Sequence, residues 1–372
     1  RRFQLCGHKP IALAGGATGS IGDPSGKKAE RQLLTKETLD HNISKVKVQL
    51  ARLLDFSEGL KNAAVLVDNA TWIGPISFLD FLRDVGKHIT VNSMVSKESV
   101  KARMGDEKSG ISFTEFSYML LQGYDFCHLN RTMDCELQIG GSDQWGNITV
   151  GTELTRKIAG KTVYGLTLPL ITNADGSKFG KSEKGAVYLD AQKTSVYRFY
   201  QYFVNVDDRD VSRFLKFFTF LDQTQIAELE AKHAENPGAR EAHHALAREM
   251  TNLIHGEQAT EDAITASKIL FGGGLEGISE NALKNVAGEI PTANLSAEAI
   301  AGDGYSLLDA LVDTGLCDSR GQAKKAVQEG GAYVNNQRAQ DIGYKLSQAD
   351  VHYGRYILLR RGKKNYAALL LG

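Results

Sequence analysis

Two lysines three residues apart, with a glycine between them, open the chemical reading of this chain. They stand in KFGKS (178–182), which follows a turn, NADGS. Mobile ammonium groups at that spacing can clamp a polyphosphate while negative charge develops on it. A surface loop reads the same way when taken alone. A second cationic cluster lies in GGATGSIGDPSGKKAER (15–31), where Asp23 stands near Lys27, Lys28 and Arg31. That mixture suits a zwitterion or a phosphate, and equally a charged loop. Its glycines follow a strand, as in turns whose bare amides cradle an anion. The string is neither G-x-G-x-x-G nor a Walker A motif, so a tight glycine turn is the competing reading.

Tyr118, Gln122 and Asp125 lie at i, i+4 and i+7 in FTEFSYMLLQGYDF (113–126), on one helical face. Their neighbours are apolar. Polar groups in such surroundings stay unpaired unless a ligand pairs them, so the stripe reads as a pocket wall. In QIGGSDQWGNI (138–148) a strand ends, two glycines follow and a helix begins. Folds of this kind bind ligands at that carboxyl edge of the sheet. Asp143 can accept from ribose hydroxyls, and the glycines let a nucleotide lie close.

The elements that must position these residues alternate. Strands are expected at 9–16, 62–69, 135–141 and 163–172. Helices are expected at 35–54 with Thr35 as N-cap, at 75–86 with Pro75 in its first turn, at 113–126, and at 142–158 with Ser142 as cap. This alternation predicts an α/β fold with a doubly wound, mainly parallel sheet. From about 195 to 271 the signals are helical only. Residues 272–304 are glycine-rich and poorly periodic and read as a linker with one short helix. From 305 a small α+β unit follows: two short helices, the second capped at Ser319, then a strand at AYVNN and a strand pair within 351–361.

Composition agrees with an ordinary globular chain, at 42% hydrophobic and 24% charged residues. No apolar run is long enough for a membrane helix, and no secretory signal opens the chain. Cys6, Cys127, Cys135 and Cys317 form no C-x-x-C pair or zinc-finger spacing and read as reduced thiols. Net charge is zero, but residues 305–372 carry ten Lys and Arg against six Asp and Glu. A basic tail points to nucleic acid.

Together GGATGSIGDPSGKK, GISFTEFSYMLLQGYDF, GGSDQWGNI and KFGKS resemble the bacterial-type tyrosyl-tRNA synthetases, in family order and across nearly all 372 residues. The tail resembles the S-four-like RNA-binding module of these class I enzymes. The resemblance implies a tyrosine–tRNA ligase. Tyrosine and ATP would give tyrosyl-adenylate, and tyrosine would then pass to tRNA(Tyr). Lys178, Lys181 and Ser182 would hold the ATP phosphates, with Lys27 and Arg31 reaching the pyrophosphate. Tyr118, Gln122 and Asp23 would hold the tyrosine amino group, and Asp125 would accept from its phenol. Gln144 would stand beside the carboxyl group, and Gln138 would belong to the same tyrosine site. Gly141 and Asp143 would contact the ribose. ATP would react with Mg2+, without a tightly bound cofactor or a resident metal, in a cytoplasmic homodimer. The substrate carboxylate attacks phosphorus itself, so the protein need supply only position and charge stabilisation.

The family resemblance also sets expected domains: catalytic at 1–194, helical anticodon-region at 195–271, linker at 272–304 and RNA-binding at 305–372. Class I members carry an H-x-G-H signature near their start. None of the nine histidines sits in that pattern, so the chain is expected to lack the segment that holds it, together with the first strand of the nucleotide fold. A nicotinamide-dependent oxidoreductase would need G-x-G-x-x-G after the first strand. A non-catalytic RNA-binding homologue would leave KFGKS and GGSDQ unexplained. Tryptophanyl-tRNA synthetase shares the expected fold, but the Tyr118, Gln122 and Asp125 stripe matches a phenol pocket.

Overall fold

The computed structural model describes residues 1–23, 34–104, 110–177, 179–182 and 185–372. The chain separates into two compact units, Arg1–Thr172 and Asn173–Gly372.

In the first unit, β1 (Ile11–Ala14) pairs in parallel with β2 (Val65–Asp68), Ile11 opposite Val65 and Ala14 opposite Asp68. Likewise β3 (Leu137–Gly141) pairs in parallel with β4 (Tyr164–Leu168). Parallel neighbours require a crossover, and helices supply it. Lys36–Leu53 (α1) lies between β1 and β2 in sequence, with the Thr35 side chain accepting from Thr38 N as expected. Phe78–Asp84 (α2) begins later than the proline predicted: Ser77 caps it, accepting from Asp80 N at 3.1 Å, and Pro75 lies outside.

Phe113–Met133 (α3) is longer than expected. Its start is fixed by a capping box in which Ser112 and Glu115 satisfy each other's backbone amides. Asp134 ends it in the left-handed conformation, at φ 51°. Ser142 is not the cap expected of it. Residues Ser142–Gln144 form a 3-10 turn without a side-chain cap, and Trp145–Ala159 (α4) starts after them. Helices α3 and α4 pack closely because glycines face each other. A Cβ on Gly123 would stand 2.8 Å from Val150 Cγ1. Around this contact Met119, Leu120, Cys127, Val150 and Leu154 form a buried core with Val85, Ile89, Met94 and Val100.

The second unit opens with a small hairpin, β5 (Lys181–Ser182) against β6 (Gly185–Ala186). Helices follow: Val196–Val204 (α5), Asp208–Phe218 (α6), Gln223–Glu235 (α7), Glu241–His255 (α8) and Glu257–Leu270 (α9). Their core includes Phe199, Phe203, Phe214, Leu215, Leu246 and Ala263. The stretch expected as a linker is folded. It carries Glu280–Glu289 (α10) and β7 (Thr292–Leu295), which pairs in parallel with β13 (Asn365–Leu371).

The tail also contains β8 (Tyr305–Ser306), the helices Leu307–Asp313 (α11) and Arg320–Gln328 (α12), β9 (Ala332–Val334), β10 (Gln337–Arg338), β11 (Lys345–Leu346) and β12 (Tyr356–Arg361). Ser319 caps α12 as expected. The five-stranded order is β10-β9-β12-β13-β7. Leu307, Leu311 and Leu346 are fully buried with Ile357 and Leu359 of β12 in one core cluster.

Candidate active site

In the first unit three segments converge on one carboxylate. The turn after β1 approaches the end of β2 so closely that Gly16 N donates to Asp68 Oδ1 at 3.0 Å. A Cβ on Gly16 would lie 2.3 Å from that oxygen, so only glycine fits. Ala17 N donates to Asn69 Oδ1 at 2.8 Å. Both amides are therefore taken by side chains, which favours the tight-turn reading of these glycines over an anion cradle.

Asn69 is fully buried. Its Nδ2 donates to Thr18 Oγ1 at 2.9 Å and to Asp125 Oδ2 at 3.0 Å. Trp72 Nε1 donates to Asp125 Oδ1 at 2.8 Å. The Trp72 ring is itself stacked on His128, with centroids 4.5 Å apart. The expectation that only a ligand would pair this stripe is thus corrected, because the protein supplies donors to Asp125. The cost of burial still dominates: Asp125 is 1% exposed and its carboxyl is pushed up to about 6, with the Asn69 and Trp72 hydrogen bonds only partly opposing this. An ionised carboxylate offers about four acceptor directions, so a further donor, such as a hydroxyl, has somewhere to bind.

One turn away, Gln122 Oε1 accepts from Asn147 Nδ2 at 2.8 Å. Gln144 Nε2 donates to Asp23 Oδ2 at 2.8 Å and to Asp143 Oδ2 at 3.2 Å. Asp23, Gln122, Asp143 and Gln144 therefore belong to one polar chain linked through Asn147. Tyr118 is half-buried one turn before Gln122 on α3. Gly141 permits the bend into the Asp143 turn, since a Cβ there would stand 2.5 Å from Asp143 Oδ1. Gln138, on β3, has its Oε1 buried without a hydrogen-bond partner among the described residues. Acceptor-rich surroundings of this kind suit a ligand that carries an ammonium group and hydroxyls.

The KFGKS loop lies in the second unit. Its preceding turn is closed by Asn173 N donating to Ser177 O at 2.9 Å, and Ala174 N donates to Asp210 Oδ2 at 2.7 Å. Gly180 N donates to the Tyr202 hydroxyl at 3.0 Å. The Phe179 ring sits among Tyr202, Phe203, Phe214 and Phe218. Lys181 and Ser182 form β5, opposite Ala186 and Gly185. Lys27, Arg31 and Lys178 lie outside the described residues.

Sequence reasoning passed over Asn69, Trp72, Asn147, Tyr202 and Asp210. A signal existed for Asn69. It ends the apolar run VLVDN at a strand's carboxyl end, where the same rule had singled out Asp143.

A family model described as "tRNA synthetases class I (W and Y)" matches residues 1–272. One described as a tyrosine–tRNA ligase SYY-like C-terminal domain matches residues 282–369. A tyrosine–tRNA ligase of Opitutus terrae is 55% identical over 369 residues, covering 99% of this chain and 86% of the relative. One of Roseiflexus castenholzii is 51% identical over 370 residues, covering 100% of this chain and 87% of the relative. Among solved structures, a C-terminally truncated mitochondrial tyrosyl-tRNA synthetase of Aspergillus nidulans superposes with TM-score 0.61 at 32% identity, over 70% of this chain and 77% of that one. Its counterpart from Coccidioides posadasii gives 0.60 at 35% identity, over 70% and 74%.

Proposed function

The chain belongs to the class I tRNA synthetases of the tryptophan and tyrosine group, and from that premise we propose how its own side chains carry the reaction. Its activity is tyrosine–tRNA ligation. ATP is a substrate, and we take its Mg2+ complex as the reacting form, because a polyphosphate presents the oxygen ligands that ion prefers. A tyrosine carboxylate oxygen attacks the α-phosphorus, the bond to the bridging oxygen breaks, and pyrophosphate leaves with the electron pair. A ribose hydroxyl at the 3′ end of tRNA(Tyr) then attacks the adenylate carbonyl and AMP departs.

The observation that carries the site reading is the Asp125 carboxylate, buried yet oriented by Asn69 and Trp72. It accepts the tyrosine phenol. Tyr118, Gln122 and Asp23 hold the amino group, Gln144 stands by the carboxylate, and Gln138, whose oxygen has no partner among the described residues, belongs to the same site. Gly141 and Asp143 take the ribose. Lys178, Lys181 and Ser182, with Lys27 and Arg31, oppose the charge that develops on pyrophosphate. No nucleophilic side chain is required.

Residues 1–194 act as the catalytic domain, 195–271 as a helical anticodon-region domain and 305–372 as the RNA-binding domain, joined through the folded stretch 272–304. The tail's basic excess, with the Arg360 guanidinium 3.8 Å above the Tyr333 ring, supports phosphate and base contacts. A homodimer is supported by exposed apolar side chains on α2 and at the start of α3: Phe78, Leu79, Leu82 and Phe113. A cytoplasmic setting is supported by four free cysteines. No described helix is long and apolar enough to cross a membrane.

The test is ATP–pyrophosphate exchange by the full-length protein with tyrosine, phenylalanine and tryptophan, followed by charging of tRNA(Tyr). Tyrosine should drive exchange far better than the other two, and Asp125→Ala should narrow the gap to phenylalanine. A preference for tryptophan, or a gap unchanged in the variant, overturns the site reading.

A further inference from the structure

Gly180 stands between the two lysines of the KFGKS loop at φ 82°, a conformation that glycine adopts without strain. Nothing lies within 4 Å of the position its Cβ would take. Backbone freedom at this point passes directly to Lys181, the next residue. A rotation at Gly180 therefore redirects the chain that enters β5, where a phosphate clamp demands accurate placement.

Two helices of the second unit remove that freedom. From α5, the Tyr202 hydroxyl accepts Gly180 N–H at 3.0 Å, while Val187 N donates to Gly180 O at 2.9 Å. Both backbone groups of the one glycine are thereby bonded. From α6, Asp210 accepts from Ala174 N, and the same carboxylate is held by Arg213 at 2.5 Å. Asp210 is only 2% exposed, so this tether is shielded from water. Phe179, next to Gly180, packs its ring edge-on to Tyr202 and stacks on Phe218 at 4.9 Å. The Tyr202 ring packs in turn against Phe203. Its hydroxyl therefore emerges from an aromatic cluster against a backbone donor of the loop.

We propose that Tyr202 is a positioning residue of the activation step: by accepting Gly180 N–H it fixes the loop backbone that leads into Lys181, the lysine that opposes the departing pyrophosphate. Asp210 holds the entry to the loop in the same way. Neither residue touches the reacting atoms. The inference rests on the reading of KFGKS as the phosphate loop, and the experiment separates the two.

The full-length protein is compared with Tyr202→Phe, Lys181→Ala and the double variant in pre-steady-state tyrosyl-adenylate formation. Tyr202→Phe keeps the ring, so the aromatic cluster stays packed, and it removes only the acceptor. It should slow adenylate formation about tenfold, the scale of one lost hydrogen bond. The KM for tyrosine should stay within about twofold, since ground-state binding is untouched. Trypsin should cut after the loop lysines faster than in the parent. In the Lys181→Ala background the same substitution should add little, because the hydroxyl acts through the lysine it helps to place. A Tyr202→Phe enzyme with normal rate and normal loop cleavage overturns the inference while Lys181→Ala remains slow. Equal effects of Tyr202→Phe with and without Lys181 overturn it also. A normal rate in Lys181→Ala overturns the reading of the loop itself.

Discussion

Asn69 donates to Asp125 across 56 residues of sequence, Nδ2 to Oδ2 at 3.0 Å, and so couples the glycine turn after β1 to the middle of α3. The amide is used fully, for its oxygen accepts from Ala17 N and its nitrogen also serves Thr18. Asn69→Ala should therefore strand an amide, a hydroxyl and a carboxylate at once. We expect a loss of about 2–4 kcal/mol in stability, since each unpaired buried group costs on the order of 1–3 kcal/mol and relaxation recovers part. Urea unfolding of the first unit would read it, and a loss under about 0.5 kcal/mol would contradict the network.

With Asp125 as the proposed acceptor of the tyrosine phenol, tyrosine recognition should depend on pH. Burial has pushed its carboxyl up to about 6. In the free protein this group costs stability above about 6, and the cost is relieved as pH falls toward the ordinary carboxylate value. A phenol that donates to Asp125 favours the ionised form. Tyrosine affinity should then fall as pH drops below about 6, by up to roughly tenfold per unit. Phenylalanine, which has no hydroxyl, should show no such fall, so the preference shrinks in acid. Calorimetric titrations of both amino acids at pH 5 and pH 8 test this, and parallel pH profiles would count against a phenol at Asp125.

Much of this was readable from the chain. VLVD and LQIGG are short apolar runs that end in turn residues, so strands β2 and β3 and their parallel partners could be placed from pattern alone. Tyr118, Gln122 and Asp125 could be placed on one face of α3 because helical spacing is local information. The donors to Asp125 were hidden because Asn69 and Trp72 lie more than fifty residues upstream. Strand β7 was missed for a similar reason. TANL has weak strand character, and its place in the sheet comes from β13, where Ala368 pairs with Thr292. Ser142 had the right residue type for a cap, but a 3-10 turn claimed its backbone before α4 began.

The tail is joined to the helices by specific hydrogen bonds. Asn336, at φ 61°, donates through Nδ2 to Ile269 O and Gly273 O, and the Tyr366 hydroxyl donates to Ile269 O. Ile269 O stands in the last turn of α9, where it also accepts from Gly272 N, and Gly273 O follows just past the helix end. Asn336→Gly keeps the backbone conformation and deletes the contact. Combined with Tyr366→Phe it should weaken docking by about 1–3 kcal/mol. Calorimetry should show the tail melting earlier than the helices. Charging of tRNA should suffer more than pyrophosphate exchange, and equal losses in both would mean that docking serves the activation step instead.

His243 should set the acid limit of the helical region. Its side chain is fully buried on α8, with the His233 ring 5.3 Å away. Burial pushes its imidazole down to about 4, and the Arg240 charge and His233 act in the same direction. Asp208 pulls the other way, but its oxygen stands 3.1 Å from Nε2 without hydrogen-bond geometry, on a residue half exposed to water. A folded pKa below the unfolded value near 6.5 means that the unfolded chain binds the proton first. Stability contributed by neutral His243 is therefore present above about 6.5 and lost as pH falls toward about 4. Between pH 7.5 and pH 5 the loss should reach about 2 kcal/mol, at 1.36 kcal/mol per unit. Asp125 works in the opposite sense below about 6, so the raw pH dependence of the parent mixes the two. The comparison with His243→Gln, which cannot take up the proton, isolates the histidine. Urea unfolding followed at both pH values should show the variant losing about 2 kcal/mol less than the parent on acidification, and an identical loss in the two proteins would remove His243 from the account.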